Sequence, residues 1–373
     1  MATDFLQMMS ATGGGDVTSS SSSSLIPGLP DDVAVNIIAR IPRSHHPGLT
    51  LVSRPFRSLL SSPLLFSTRR LIPSTHPSLY LSLRLPSSLL WFSLHSPDRR
   101  FSPIPPIPSP PLAGSAFASL GSFIFALCGS LPNLSSPSPS VWSLDCRFHL
   151  WSPSPPSRIP REFPAAACAD GKLYLLGGCS PDTRARCSNW AEVFDPVSGK
   201  WEAVPSLPEV RDKWMHASAT IDGRVYAMGD RGGVMYDARK RTWENVCGEL
   251  DNGWRGRACV VGGVLYCYDY LGKIRGFDFE AGMWKELKGV GKGLPRFLRG
   301  ATLVDFGGNL VVVWEENDGG GSCKGKGMEI WCAEIRVRQD ETCRDLVGEI
   351  CWSGCALSVP VRASIVCCLA VEL

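Results

Sequence analysis

Four tryptophans in this chain stand in the same relation to an aspartate. Asp145 precedes Trp151, Asp195 precedes Trp201, Asp237 precedes Trp243 and Asp278 precedes Trp284, each by six residues. Successive tryptophans are 50, 42 and 41 residues apart. Self-similarity at such a period marks a repeat architecture. Strand-like pairs lead into each Asp: Val193-Phe194 and Met235-Tyr236 are the clearest, Ser143-Leu144 and Gly276-Phe277 the weaker ones. Gly171, Gly223, Gly263 and Gly308 each precede an apolar run. Asp170-Gly171 and Asp222-Gly223 are strong two-residue turn signals, because Gly reaches positive φ without a Cβ clash. Each unit therefore reads strand, tight turn, strand, loop, strand ending in Asp, short turn, strand starting at Trp. That is one four-stranded antiparallel sheet. Such a sheet cannot bury both faces alone, so the units must stack around an axis.

These residues resemble the kelch repeat, in which a diglycine is followed by an aromatic-Asp step and a Trp six residues on. The resemblance covers roughly residues 78–373. Only Gly177-Gly178 is a full diglycine; Cys128-Gly129, Gly229-Asp230, Tyr268-Asp269 and Trp314-Glu315 stand at the equivalent places. Segments 114–151, 163–201, 213–243, 255–284 and 300–352 make five units. The last has no Asp/Trp pair and carries a Gly-rich insertion, Asp318–Gly327. Leu79–Leu85 and Leu89–Leu94, with Phe101 seven residues after Leu94, read as half of a sixth unit. Its other half is expected from Ala356–Val361 and Ser364–Leu373, because closing the ring removes exposed strand edges. The expected fold is an all-β kelch-type β-propeller of about six four-stranded blades, preceded by a small all-α domain.

The first 70 residues differ in kind. Residues 1–24, with Gly13–Gly15 and Ser19–Ser24, read as a disordered polar tail. In 25–70, Leu29-Pro30-Asp31-Asp32 starts a helix, with Pro in the first turn and carboxylates at the positive end of the dipole. Ala34, Ile37, Ile38 and Ile41 give it one apolar face, and Pro42 ends it. A second helical pattern follows Gly48, with Leu49, Val52, Phe56, Leu59 and Leu60 on one side. Pro55 is placed to start a separate helix, and Ser61-Ser62-Pro63 ends the pattern. This is little core for independent stability, so the module is expected to lean on a partner.

The segment resembles an F-box through Leu29-Pro30-Asp31-Asp32-Val33, Ala39-Arg40-Ile41-Pro42, Leu51-Val52-Ser53 and Phe56-Arg57-Ser58-Leu59-Leu60. Ser53 and Phe56 replace the Cys and Trp of that family. F-box followed by repeats is similar to the plant F-box/kelch-repeat family. The resemblance implies docking on a Skp-family adaptor and, through it, on a cullin-RING ubiquitin ligase. The residues expected to carry the docking are Leu29, Pro30, Val33, Ile37, Ile41, Pro42, Leu51, Val52 and Phe56. Residues 71–77 read as a linker to the propeller, 78–373.

Composition narrows the remaining choices. A formal charge of +3 and a pI near 8.2 imply no strong pull on nucleic acid or membrane. The 15 Cys show no metal-ligand spacing: Cys351 and Cys355 are four apart, Cys367 and Cys368 adjacent. They read as buried thiols in a reducing compartment. Met1–Gln7 lacks a basic leader segment, and the apolar run Ala363–Val371 is too short for a bilayer. Cytoplasmic and/or nuclear location is expected. The six His have no shared ligand spacing, and only His216 falls near a strand start. No nucleophile elbow, phosphate loop, zinc-protease or dinucleotide motif is present. No catalytic residue, metal or cofactor is therefore expected, and the repeated Asp reads as a turn-capping group.

The chain reads as a binding module for a target protein. The alternative is a kelch enzyme or small-ligand binder with a vestigial F-box. In a four-stranded antiparallel blade, the loop between strands two and three and the blade-to-blade connector leave on one face. Along the chain that face carries Arg184 and Arg186, then Arg211, Lys213, Trp214 and His216. Further on come Arg231, then Trp254, Arg255 and Arg257, then Arg296 and Arg299. Arg and Trp are enriched at binding hot spots. The expectation is a basic, aromatic-studded face reading an acidic segment; the alternative packs Trp214 and Trp254 between blades.

Overall fold

The computed structural model describes residues 24–72, 75–95, 99–131, 136–179, 190–205, 215–229, 232–269, 271–317, 327–340, 344–360 and 362–373. The expected disordered tail and the core of the Gly-rich insertion lie outside these residues.

The helical part starts at Pro30, which stands before α1 (Asp31–Ala39) with Asp31 and Asp32 in its first turn. A 3-10 turn over Arg43–His45 follows Pro42, then α2 (His46–Leu49), α3 (Arg54–Leu60) and α4 (Pro63–Leu71). Pro55 lies in the first turn of α3, as expected, and Ser53 caps that helix by accepting from the Phe56 N–H at 3.2 Å. Ser61-Ser62-Pro63 ends α3, as expected, with Ser61 as its C-cap, and it also starts the next helix. Ser62 caps α4 by accepting from the Leu64 N–H, and Pro63 suits a first turn, where its missing N–H costs nothing. Val35, Ile38, Ala39, Leu59, Leu60, Leu65 and Phe66 form the small core.

Among the described residues the strands form six four-stranded units. The first contributes β1 (Pro77–Leu85), β2 (Ser88–His95) and β3 (Ser102–Ile104). The second holds β4 (Ala116–Leu120), β5 (Phe123–Leu127), β6 (Val141–Asp145) and β7 (Leu150–Ser154). The third holds β8 (Ala165–Ala169), β9 (Lys172–Leu176), β10 (Ala191–Asp195) and β11 (Lys200–Val204). The fourth holds β12 (Met215–Ile221), β13 (Arg224–Gly229), β14 (Val234–Asp237) and β15 (Thr242–Asn245). After α5 (Gly248–Gly253), the fifth has β16 (Ala258–Val261), β17 (Val264–Tyr268), β18 (Ile274–Asp278) and β19 (Met283–Lys288). The sixth has β20 (Arg299–Phe306), β21 (Asn309–Asn317), β22 (Gly327–Gln339) and β23 (Leu346–Pro360). The last strand, β24 (Ser364–Glu372), returns to the first unit and pairs with β1. The innermost strands β4, β8, β12, β16, β20 and β24 neighbour one another all the way round the ring.

Two details differ from the sequence reading. Only β24 crosses to the first blade, because Ala356–Pro360 continues β23 against β22. The fifth and sixth blades are also not separate: Leu287 and Lys288 of β19 pair in parallel with Leu346 and Val347 of β23, so the units form five hydrogen-bonded sheets, one of them eight-stranded. Gly276 makes room for this, since a Cβ there would stand 2.3 Å from Leu346 Cδ1.

The turn signals behave as their residues dictate. Asp170-Gly171, Asp222-Gly223, Gly262-Gly263 and Gly307-Gly308 all have positive φ at both positions, the geometry that matches the twist of a two-residue hairpin. The repeated Asp caps the outer turn. Asp195 accepts from Val197 and Ser198 N–H, Asp237 from Arg239 and Lys240, Asp278 from Glu280 and Ala281, and Asp145 from Arg147.

The residue before each Asp pairs directly with the repeat Trp: Leu144 with Trp151, Phe194 with Trp201, Tyr236 with Trp243, Phe277 with Trp284. These tryptophans are half-buried. Each indole N–H donates to a carbonyl on the connector leaving the preceding blade: Pro105 (3.0 Å), Pro155 (2.9 Å), Pro205, and Glu249 (3.0 Å). The six-residue spacing thus encodes a staple between neighbouring blades. Among the described residues the fully buried tryptophans are others: Trp91, Trp190, Trp254 and Trp314.

Candidate protein-docking surfaces

The helical module has two sides. One is fixed to the propeller. Arg69 is wholly buried, and its Nη1 donates to the carbonyls of Ala39 and Ile41 at 2.8 Å while Nη2 reaches Leu373 O at 3.4 Å. Arg43 Nη2 donates to the carbonyls of Cys146 and Arg147, both at 2.8 Å. Phe66 meets Phe148 edge-on at 5.5 Å. Burial, and then the charge of Arg69, lowers the His46 pKa to about 4; burial, and then Arg43, does the same to His149. Both imidazoles are thus neutral at physiological pH.

The anchoring residues lie on the β6–β7 turn and at the junction of β24 with β1. Along an antiparallel blade these turns fall on one face, which we call the turn face. Loops between second and third strands, and the blade connectors, fall on the opposite loop face.

The other side of the module is exposed. Leu29 (37%), Val33 (41%), Ile37 (44%), Leu51 (79%) and Val52 (63%) are open to solvent, as are Leu64 and Leu71. Five of the nine residues expected to dock an adaptor thus make an apolar surface with no partner among the described residues. Pro30 and Pro42 are exposed too. Ile41 is half-buried, and Phe56 packs against the helical core. The helical face of α1 is therefore rotated from the one read in sequence: Ala34, Val35, Ile38 and Ala39 go inward, and Ile37 outward.

On the propeller, the expected target residues divide three ways. Arg184, Arg186, Arg211, Lys213, Trp214 and Arg231 lie outside the described residues. His216 is placed by its backbone in β12. Trp254 is a correction: it is fully buried among Ala219, Leu250, Leu265 and Phe277, with its indole N–H donating to Gly256 O at 3.1 Å, so it packs between blades and cannot anchor a target. Arg255, Arg257, Arg296 and Arg299 are exposed on the loop face. Arg296 sits over the Phe297 ring at 5.4 Å, and Arg299 pairs with the buried Glu315 at 3.3 Å. Sequence reasoning missed Phe297 (61% exposed) and Leu271 (64% exposed) beside this patch. They sit in an irregular loop and a connector, where no periodicity separates exposed from buried apolar residues.

A cavity of about 1020 Å³ runs inside the ring of inner strands. Its walls are mostly small side chains, such as Ala118, Ala167, Ala219 and Ala258, because converging inner strands leave little room near the axis.

Little in the thiols suggests chemistry. Burial pushes Cys128 up to about 11 and Cys168 and Cys332 up to about 12. Thiolates are the reactive form, so these groups are inert. Among the described residues no cluster of three His, Cys, Asp or Glu is placed to hold a metal. No helix among them is long and apolar enough to cross a membrane.

A helical module with an exposed apolar surface is thus fixed to one face of a ring of four-stranded blades. Comparison with known proteins matches both parts to families. The F-box domain family matches residues 26–68, and the family described as FKB95, Kelch-repeats domain, matches residues 84–357. The chain is 35% identical to F-box/kelch-repeat protein At4g39550 of Arabidopsis thaliana over 91% of its own length and 92% of that protein. It is 32% identical to F-box/kelch-repeat protein At4g39580 of the same plant, covering 92% of each. A solved structure titled "Structure of YjhT" shares the fold, with a TM-score of 0.50 at 11% identity, over 73% of this chain and 94% of that one. The chain belongs to the F-box/kelch-repeat family.

Proposed function

We propose that this protein is the substrate-recognition subunit of a Skp/cullin/F-box-type ubiquitin ligase. The observation that carries the reading is the exposed apolar surface formed by Leu29, Val33, Ile37, Leu51 and Val52. Water disfavours such a patch, and a protein partner removes it from water. A Skp-family adaptor is the partner, and it links the chain to a cullin-RING ligase. The loop face, pointing away from the helical module, holds the target protein. The mechanism is proximity: a bound target has its lysines at high effective concentration near a ubiquitin-charged enzyme. The chain makes and breaks no bond itself and acts in the cytoplasm and/or nucleus. Neither nucleic acid nor membrane takes part.

The test is co-purification with a recombinant Skp-family adaptor, with and without residues 25–70, circular dichroism confirming that the sheets persist. The full chain is expected to capture the adaptor and the shortened chain to lose it. Equal capture by both, or capture by neither, contradicts the reading.

A further inference from the structure

The ring cavity is electrically polarised along its axis. At the turn-face end it is lined by Asp305 and Glu372, close to the helical module. Arg84 and Arg257 line its loop-face end. These two arginines converge on the same stretch of β24. Arg84, near the end of β1, pairs with Ser364 of β24, and Arg257 Nη2 donates to the Ile365 carbonyl at 3.2 Å. Arg257 Nη1 is held by the Thr302 hydroxyl at 2.8 Å, and Arg84 Nη2 donates to the Leu112 carbonyl at 3.3 Å. Arg362, exposed and at φ 83°, stands two residues before Ser364 on the connector into that strand.

The charges around this mouth do not cancel. Glu315 lies there, accepting from the Ile365 N–H at 2.8 Å, but its charge is matched by Arg299. Glu162 accepts from Ser130. Arg84, Arg257 and Arg362 form no ion pair with a carboxylate among the described residues. Among the described residues the Arg84 and Arg257 guanidinium groups are held by neutral acceptors, which orient them without satisfying their charge. Such an arrangement leaves fork-shaped donors for a carboxylate or a phosphate.

We propose that the loop-face mouth of the ring cavity is an anion-reading site, in which Arg84, Arg257 and Arg362 take anionic side chains from an extended segment of the target protein. The small inner residues leave space for such a side chain to enter along the axis. The carboxylates at the far end direct it to this mouth and not to the other. This inference deepens the proposed role of the loop face and rests on it for the identity of the ligand as a target.

The experiment uses the full chain and two fluorescein-labelled probes, an octaglutamate peptide and an eight-residue peptide of alternating phosphoserine and glycine. Binding is followed by fluorescence anisotropy at low salt. At least one probe is expected to bind, and Arg84→Glu with Arg362→Glu should weaken it tenfold or more. Lys200→Glu with Lys240→Glu, the same charge change on the turn face, should alter it less than twofold. Tighter binding of the octaglutamate assigns the anion as a carboxylate, and tighter binding of the other probe assigns it as a phosphate. If the Arg84 variant fails to fold, Arg362→Glu alone, on an exposed connector, carries the test. Binding of neither probe, or equal weakening by the turn-face reversal, overturns the proposal. Adaptor capture does not involve this mouth, so the outcome is separable from failure of the ligase reading.

Discussion

The helical module and the propeller treat apolar surface in opposite ways. Among the described residues, the module exposes seven large apolar side chains within 24–72, while the propeller exposes six across 77–373. Those six are scattered, from Leu150 at the start of β7 and Val197 on an outer turn to Leu271 on the β17–β18 loop and Phe297 on a connector. The propeller closes on itself, so its inner strands neighbour one another round the ring and only short outer strands remain as edges. The module has only a seven-residue core and borrows Phe148 from the propeller to complete it. The difference teaches where binding to another protein is built in. The ring supplies stability and a rigid set of loops; the module spends its apolar residues on an outside surface.

The largest effect is expected from opening the ring. Deleting Ser364–Glu372 removes the inner strand of the first blade and bares the whole β1 edge, from Pro77 to Arg84. Aggregation, read by light scattering, should follow. A truncated protein that stays monomeric with an unchanged melting temperature would show that β24 is not the closure.

Next come the staples. Trp201→Ala or Trp243→Ala removes a half-buried ring and the indole donor that holds the neighbouring connector. A loss of about 2–3 kcal/mol is expected in a reversible denaturant melt, below that of a fully buried Trp. A loss below about 1 kcal/mol would mean that the tryptophans decorate the ring and do not join its blades.

The seam between the two regions should respond to acid. His46 and His149 are held to about 4 in the fold, against 6.5 when unfolded. A lowered imidazole pKa means that the unfolded chain takes up protons first. Their contribution is therefore unaffected above pH 6.5 and stability falls as pH drops from 6.5 towards 4. His149→Gln should flatten part of that decline in thermal melts taken between pH 7 and 4. An identical pH profile in the variant would remove His149 from the account.

Much of the ring was legible because one physical device repeats: an Asp that caps a turn, followed by a Trp that staples a connector. That device marks blades two to five, and the hairpin glycines extend the pattern to the sixth. The remainder depends on contacts between distant residues. Nothing local shows that Ala356–Pro360 prolongs β23, or that Gly276 yields to Leu346 so that two blades join. Trp254 stands in a blade connector, where a surface anchor and a residue packed between blades look alike in sequence, and the fourth and fifth blades enclose it. On the module, an apolar residue required by a partner and one required by the core look alike in sequence. Ile37 and Ile38 are adjacent, and only the packing of α4 separates the exposed one from the buried one. The polarised mouth was half legible: Arg257 was singled out, but Arg84 lies at a strand end and Arg362 beyond the last repeat, and only ring closure brings them together.

The smallest effect on stability belongs to the residues expected to matter most for binding. Replacing Val33, Ile37 and Leu51 together by Asp changes side chains that lie on the exposed side of the module, so the melting free energy should move by no more than about 1 kcal/mol. The decisive measurement is calorimetric titration of this triple variant and the unaltered chain with a recombinant Skp-family adaptor. The account predicts measurable binding by the unaltered chain and at least a hundredfold loss in the variant, with folding intact. Equal affinity of the two proteins, or no binding by the unaltered chain, would contradict it.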